Sequence, residues 1–373
     1  MAAAEGDFAP LLEAWDGRGV VMRHDAPTGS WIFIALHDDT LGPPVGGCRM
    51  MRYPRPADGL RDALRLAEGM TLKWAAMGLA FGGGKAVLAL SRRLDDEERR
   101  GLLLRFGDLL ETLGGAYGTG EDLGTTPDDM RLVATRTRHV VGLPPGGEGP
   151  SDPGPFTAEG VLAGIRAALD HRYGSPELRG RSVMVQGVGD VGAPLARTVA
   201  RTGARLLLAD LDGDRARALA AETGGTVVEA EEVVDTPCDV FAPCAVGAVL
   251  DDDTVPRLRC AIVAGSANNQ LAAPRHADML HRRGILYAPD YVINGGGAMA
   301  FGLLWLGRAE VAGLEKRVRG IGDVLREVFA EARERDESPV VAAGRRVDRV
   351  LAAAREGQSV PPGGRRATSP GSG

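Results

Sequence analysis

The chain has 373 residues, 44% hydrophobic and 25% charged, with a formal net charge of -6 at pH 7. This is the composition of a globular protein long enough for two domains, and its acidic balance gives no electrostatic pull toward nucleic acid. No apolar run is long enough to span a bilayer, and the opening MAAAEGDFAP has no basic region followed by an apolar stretch; the expectation is a cytoplasmic protein with neither a membrane nor a nucleic-acid partner.

In chain order, residues 31–37, WIFIALH, are aromatic and β-branched and predict a strand. Residues 42–50, GPPVGGCRM, are dense in turn formers and predict a turn-rich segment. Leu60, Ala63, Leu64, Ala67 and Thr71 then recur at helical spacing, with Arg61, Asp62, Arg65 and Glu68 on the other side. This amphipathic helix carries Lys73 near its end. A second helix over about 95–113 has Leu102, Leu103, Phe106, Leu109, Leu110 and Leu113 on its apolar face and is stopped by Gly114-Gly115. Thr126-Pro127 followed by Asp129 has the form of a cap, a first-turn proline and a favourable first-turn carboxylate.

Residues 142–155, GLPPGGEGPSDPGP, form the clearest domain boundary. Beyond them a helix over about 157–172 leads into the strand SVMVQ, then into LLLAD, a helix at 213–222, VFAPC, AIVAG and ILYAP. Such alternation predicts a parallel sheet covered by helices. Residues 299–355 read as helical, and the closing GQSVPPGGRRATSPGSG is low-complexity and expected to be disordered. The four cysteines (Cys48, Cys238, Cys244, Cys260) form no CxxC pair and read as reduced, buried thiols. The six histidines show no HExxH spacing, so no metal site is expected.

The strand Ser182–Gln186 is followed by Gly187-Val188-Gly189-Asp190-Val191-Gly192, a helix, and a second strand ending at Asp210. In that context GxGxxG is a dinucleotide fingerprint. The first glycine allows the tight turn, the second lets the backbone approach pyrophosphate, and the third lets helix and strand pack closely. Asp210 can accept hydrogen bonds from ribose hydroxyls and would repel a 2′-phosphate, which favours NAD over NADP.

FGGGKAVLAL, residues 81–90, places Lys85 after three glycines. It is not a phosphate loop: the spacing requires glycine at 79 and a hydroxyl at 86, where Leu79 and Ala86 stand. The uncharged surroundings of Lys85, and those of Lys73, predict a depressed pKa suited to acid–base work. The alternative is that both stems lie along the core with their ammonium heads in water.

GPPVGGCRM, RLAEGMTLKWAAMGLAFGGGKAV, TGEDLGTTPDDM and DPGPFTAEGV precede the fingerprint; GSANNQL and YAPDYVINGGG follow it. This order resembles the leucine, phenylalanine and valine dehydrogenases of the amino-acid dehydrogenase superfamily. The resemblance implies a two-domain α/β fold with a cleft between a substrate-binding and catalytic domain (1–150) and a Rossmann-type NAD domain with a mostly parallel sheet (151–300). Helices at 301–356 would pack back on the first domain, and 357–373 would be a tail. It implies NAD-dependent oxidative deamination of an L-amino acid to a 2-oxo acid and ammonium, by a homo-oligomer. Carried over residue by residue, it implies Lys85 as the lysine that activates water and Asp122 as the carboxylate at the amino group. Lys73 would bind the substrate carboxylate, and Gly46, Gly47 and Met70 would lie beside the substrate. Asn268 would lie near the nicotinamide or the substrate carboxylate, and Thr157, Gly187, Gly189, Asp190, Val191, Gly192 and Asp210 would hold the cofactor.

Three positions depart from the family pattern: Gly154 stands for a serine, Trp74 for asparagine, and Ala298 for a larger aliphatic residue. By resemblance Val45, Gly120 and Ala298 line the side-chain pocket. Their small size predicts a bulky or aromatic substrate such as phenylalanine, unless Trp74 fills the space. Alternatives are a branched-chain dehydrogenase, a relative specialised for an unusual substrate, and a non-catalytic NAD-binding relative.

Overall fold

Alternation along the strand at 31–37 sets the first layer. In the computed structural model, which describes residues 8–142, 152–245, 247–308 and 310–357, it is β2 (Ser30–Asp38), following a short helix α1 (Ala9–Glu13) and β1 (Gly19–Asp25). Ile32 and Ile34 join one core with Leu102, Phe106 and Leu110 of α3 (Asp96–Thr112) and Met130 and Val133 of α4 (Pro127–Ala134). Phe33 and Ala35 join another with Leu60, Ala63, Leu64 and Ala67 of α2 (Pro56–Ala76). The period of 2 along the strand thus delivers one apolar set to each side of the sheet. Helix α4 begins with a capping box in which Thr126 accepts from the Asp129 N–H and the Asp129 side chain accepts from the Thr126 N–H.

The sheet of the first unit runs β1-β2-β4-β3-β5, with β3 at Pro44–Arg52, β4 at Gly82–Leu90 and β5 at Gly118–Glu121. Strands β1, β2 and β4 pair antiparallel, while β3 is parallel to both β4 and β5. The segment 42–50, expected to be turn-rich, is mostly strand β3. Its glycines answer to close backbone approach, which is another use of glycine in a strand. A Cβ on Gly46 would lie 1.8 Å from the Gly84 carbonyl oxygen, and one on Gly47 would lie 2.6 Å from that of Glu121.

The triple glycine opens the central strand β4, and packing accounts for it. A Cβ on Gly83 would meet Thr71 Oγ1 at 2.0 Å and the Ala67 carbonyl at 2.5 Å, so α2 rests its backbone directly on the strand. One on Gly84 would strike the Tyr117 ring at 2.8 Å.

The second unit holds a six-stranded parallel sheet in the order β11-β10-β9-β6-β7-β8. Its strands are β6 (Ser182–Gln186), β7 (Arg205–Ala209), β8 (Thr226–Val227), β9 (Cys238–Pro243), β10 (Cys260–Val263) and β11 (Leu286–Tyr287). The strand order reverses between β6 and β9, the topological switch point of a doubly wound fold. Helices α5 (Gly154–Tyr173), α6 (Gly192–Ala200), α7 (Gly213–Thr223), α8 (Thr254–Arg257), α9 (Arg275–Arg282) and α10 (Asp290–Ile293) accompany the sheet. Then come α11 (Gly296–Trp305), α12 (Leu314–Arg319), α13 (Ile321–Arg335) and α14 (Pro339–Arg355).

The helices expected at 301–356 divide between the two units. Residues 304–308 and 349–357 group with the first unit, and 310–348 group with the second. The reason is the small-residue face of α5: Gly160 faces Ile321, and Gly164 faces Leu325 and Ile293, so α13 seats closely against it. The expected boundary falls largely on 143–151, and the tail on 358–373, both outside the described residues. No helix among the described residues is long and apolar enough to cross a membrane.

Replacing Gly83 with alanine should force α2 away from β4. We expect a loss of about 2–3 kcal/mol in unfolding free energy, read by denaturant titration; stability equal to that of the parent would contradict this packing.

Candidate active site

Strand β4 carries Lys85 in its buried interior, with the side chain 6% exposed. Its Nζ lies 3.0 Å from Asp122 Oδ2. The uncharged sequence around Lys85 therefore conceals a counter-ion delivered by another strand. Asp122 follows β5 and sits at the start of a turn clamped to β3. Its N–H donates to Thr125 Oγ1 at 3.0 Å, and the same hydroxyl lies 2.9 Å from the Cys48 carbonyl. The Met50 N–H donates to the Leu123 carbonyl at 2.9 Å, and Gly124, at φ +82°, passes against Met50. A Cβ on Gly47 would lie 2.8 Å from the Asp122 Cβ. The absence of a side chain at 47 is what lets this carboxylate reach its partners.

Arg49 is a second cation on the same oxygen. Its Nε donates to Asp122 Oδ2 at 2.9 Å, and its Nη1 donates to Asp62 Oδ2, also at 2.9 Å. Asp62, on α2, also accepts from Tyr53 OH at 2.6 Å and Arg65 Nη2 at 2.7 Å. Burial alone would raise the Asp122 carboxyl, but Lys85 and Arg49 outweigh it and hold the group well below the usual carboxylate range. Burial pushes the Cys48 thiol far up, so it stays neutral and is not a nucleophile.

The sequence reading missed Arg49, Asp62 and Tyr53. The available signal is a charged residue directly following Gly46-Gly47-Cys48; Asp62 lies on the charged side of α2, opposite its apolar stripe.

The other expected substrate residues fall as follows. Lys73 is partly buried in the last turn of α2, and Met70, on the same helix, would be 3.3 Å from a Cβ on Gly46. The Gly46 carbonyl accepts from the buried Tyr117 OH at 2.7 Å. Val45 is buried, and its carbonyl accepts from Trp74 Nε1 at 3.0 Å. Trp74 is therefore a core residue, packed against Phe81 with ring centroids 4.8 Å apart. Gly120 is open, with only the Val141 carbonyl, at 3.4 Å, near a Cβ built there. Ala298 lies on α11, and Asn268, exposed, accepts from Asn294 Nδ2 at 2.7 Å; both belong to the second unit.

The glycine turn of the second unit fits a dinucleotide. Gly187 adopts φ +87°, which an L side chain rarely tolerates. Gly192 faces the Gly187 carbonyl, with no room for a Cβ, so α6 packs against the turn. Gly189 is exposed, with open space where a Cβ would be, and its backbone precedes the N-terminus of α6 together with Asp190 and Val191. Asp210 Oδ2 accepts the Val188 N–H at 2.8 Å and Oδ1 accepts the Asp212 N–H at 2.9 Å. Two of the roughly four acceptor sites of a carboxylate remain. Thr157 Oγ1 lies 3.0 Å from the Pro153 carbonyl and accepts from the Gly297 N–H at 3.2 Å. The Gly154 departure is explained locally: a Cβ there would lie 2.4 Å from the Asp190 carbonyl oxygen.

One unit thus carries a glycine turn at the switch point of a doubly wound sheet, and the other carries the Lys85–Asp122 ion pair; together these features suit a dinucleotide-dependent oxidoreductase. Residues 25–139 match the family described as Glu/Leu/Phe/Val dehydrogenase, dimerisation domain, and residues 208–355 match Glutamate/Leucine/Phenylalanine/Valine dehydrogenase. The chain is 42% identical over 328 residues to a leucine dehydrogenase of Thermoactinomyces intermedius, covering 88% of each. It is 38% identical over 337 residues to a phenylalanine dehydrogenase of Caldalkalibacillus thermarum, covering 89% of this chain and 90% of the relative. The crystal structure of L-tryptophan dehydrogenase from Nostoc punctiforme superposes with a TM-score of 0.79 at 36% identity, covering 93% of this chain and 99% of that one. The chain belongs to the Glu/Leu/Phe/Val dehydrogenase family. It is an amino-acid dehydrogenase, and the family implies a nicotinamide cofactor.

Protonating Asp122 would leave buried Lys85 and partly buried Arg49 without their shared counter-ion. Because its folded value is depressed, its contribution is complete above the unfolded value of about 3.9 and is lost as pH falls toward the lower folded value. The parent should exceed Asp122→Asn in stability by about 3–5 kcal/mol near neutrality, with the gap narrowing below about pH 4. Urea titrations across that range test this, and a gap independent of pH would contradict the ion-pair assignment.

Proposed function

We propose that the chain catalyses NAD-dependent oxidative deamination of an L-amino acid with a bulky apolar side chain, phenylalanine foremost, yielding a 2-oxo acid and ammonium. The observation that carries this is the buried Lys85–Asp122 contact of 3.0 Å in a chain of this family. The nicotinamide, when bound, supplies the acceptor for the hydride that leaves the substrate Cα. What remains for the protein is proton traffic and placement. In this reading Lys73 holds the substrate carboxylate by charge, beside Gly46, Gly47 and Met70. Asp122 accepts a hydrogen bond from the substrate nitrogen and exchanges protons with it. Lys85, as the free amine once its ammonium proton has passed to solvent, takes a proton from the water whose oxygen adds to the imine carbon. The resulting carbinolamine collapses as its nitrogen takes that proton back from Lys85 and its hydroxyl gives one up to Lys85: the C=O bond forms, the C–N bond breaks, and ammonia leaves to become ammonium in water. In the reverse direction the same groups form the imine.

Gly187, Gly189, Asp190, Val191, Gly192 and Thr157 would hold the cofactor, with Asn268 near its nicotinamide or the substrate carboxylate. Asp210, as an anion at the end of β7, favours ribose hydroxyls over a 2′-phosphate and so NAD over NADP. The description of residues 25–139 as a dimerisation domain supports assembly with further copies of the chain. The four cysteines are free thiols, which suits a cytoplasmic setting.

The substrate preference rests on the small size of Val45, Gly120 and Ala298. The open space at Gly120 supports a large substituent. A second reading, preference for leucine or valine, is favoured by the leucine dehydrogenase relative and by Trp305: a Cβ on Gly118 would lie 3.2 Å from Val45 and 3.5 Å from the Trp305 ring.

NADH formation at alkaline pH, measured as kcat/KM for phenylalanine, tryptophan, leucine and valine, tests the function and separates these readings. We expect phenylalanine to exceed valine by about tenfold or more; preference for valine would refute the large pocket, and turnover of no amino acid would refute the function. In calorimetry, Asp210→Ala should weaken NAD binding strongly, and unchanged affinity would remove Asp210 from the cofactor site.

A further inference from the structure

Arg49 has no role in the reaction described above, yet its guanidinium is held by two carboxylates. It is 13% exposed, it bridges two carboxylates with one guanidinium, and it touches the same oxygen of Asp122 as Lys85. We propose that Arg49, anchored by Asp62, is a positioning residue that fixes the Asp122 carboxylate so that Oδ2 is occupied by cations and Oδ1 is presented to the substrate nitrogen. This rests on the reading of Lys85 and Asp122 as the proton-transfer pair.

The geometry carries the inference in three steps. First, Lys85 alone is a point charge on a flexible stem and does not fix the rotation of a carboxylate, whereas a guanidinium is planar with donors in fixed directions. Here Nε is committed to Asp122 and Nη1 to Asp62. Second, the anchor is itself held. Asp62 accepts from Tyr53 and Arg65 in addition to Arg49, so its Oδ2 is shared by Tyr53 OH at 2.6 Å and Arg49 at 2.9 Å. A chain of charge-assisted hydrogen bonds thus runs from α2 through Arg49 to Asp122. Third, among the described residues both cations contact Asp122 through Oδ2 and no hydrogen bond reaches Oδ1. A carboxylate at 20% exposure with one oxygen saturated and the other unengaged is suited to receive an N–H donor.

A purely structural role for Arg49, pinning α2 to β3, predicts a different result. It would lower stability and leave the chemistry of the folded enzyme intact. The test is steady-state kinetics of the full-length enzyme with NAD and its best amino-acid substrate, together with the solvent deuterium isotope effect on kcat. Arg49→Lys keeps the charge but not the bridge. We expect kcat to fall about 10²-fold, with the amino-acid KM within about threefold of the parent and a larger solvent isotope effect, because proton transfer becomes slower. In an Asp122→Asn background the same change should cost little more, since the two groups act as a unit.

Asp62→Asn retains Arg49 and weakens its anchor, along with the Asp62 contacts to Tyr53 and Arg65. It should lower kcat about tenfold with the same isotope signature, and it serves if the Arg49 variant fails to fold. Folded Arg49→Lys or Asp62→Asn enzymes with kcat and isotope effect equal to the parent would overturn the inference. If the parent itself turns over no amino acid, the proposed function fails instead, so the two failures are distinguishable.

Discussion

The first unit is organised around one carboxylate oxygen shared by two cations, buried Lys85 and partly buried Arg49. Asp122 can meet Lys85 and Arg49 together only because Gly47 has no side chain and the turn at 122–125 is fastened to β3. Those conditions make demands on neighbouring elements. β3 must lie between β4, which carries Lys85, and β5, which leads to Asp122, and the observed order β4-β3-β5 meets this. Helix α2 must lie close enough to place Asp62 against Arg49, and the Gly83 contact with Thr71 and Ala67 allows that approach. Removing any one partner would strand charge in a poorly solvated place, which is why such clusters are sensitive to single substitutions.

The second unit meets a simpler demand. A parallel doubly wound sheet creates a crevice at its switch point, and short-range sequence is enough to furnish it: a glycine with positive φ, an open second glycine, and a third against the first one's carbonyl. Asp210 ties the turn to β7 through the Val188 N–H. In the proposed reaction the two units divide the work, with charge placement and proton exchange assigned to the first and cofactor binding to the second.

What could be read from the sequence follows the range of the interactions. The fingerprint at Gly187–Gly192 and the strand at 31–37 are local patterns, and both lie where expected. The apolar stripes of α2 and α3 were also legible, because helical periodicity needs no knowledge of the partner. The segment 42–50 is rich in turn residues yet mostly strand: glycine and proline signal turns by propensity, whereas here glycines make room for neighbouring backbone. The C-terminal helices were visible as helices, but their partner was not, since the seat for α13 is a pair of glycines on α5 more than a hundred residues earlier. Lys85 and Asp122 stood out through resemblance to a family. Arg49 did not, because its two carboxylates lie 13 and 73 residues away along the chain and no local pattern joins them.

In the proposed reaction the Lys85–Asp122 pair performs the proton chemistry of an amino-acid dehydrogenase. The most direct measurement is the rate of NADH formation by Lys85→Ala at saturating NAD and amino acid, set against the parent. The account predicts a fall of about 10³-fold or more in kcat, with the fold and NAD affinity retained. A Lys85→Ala enzyme that turns over within about tenfold of the parent would contradict it.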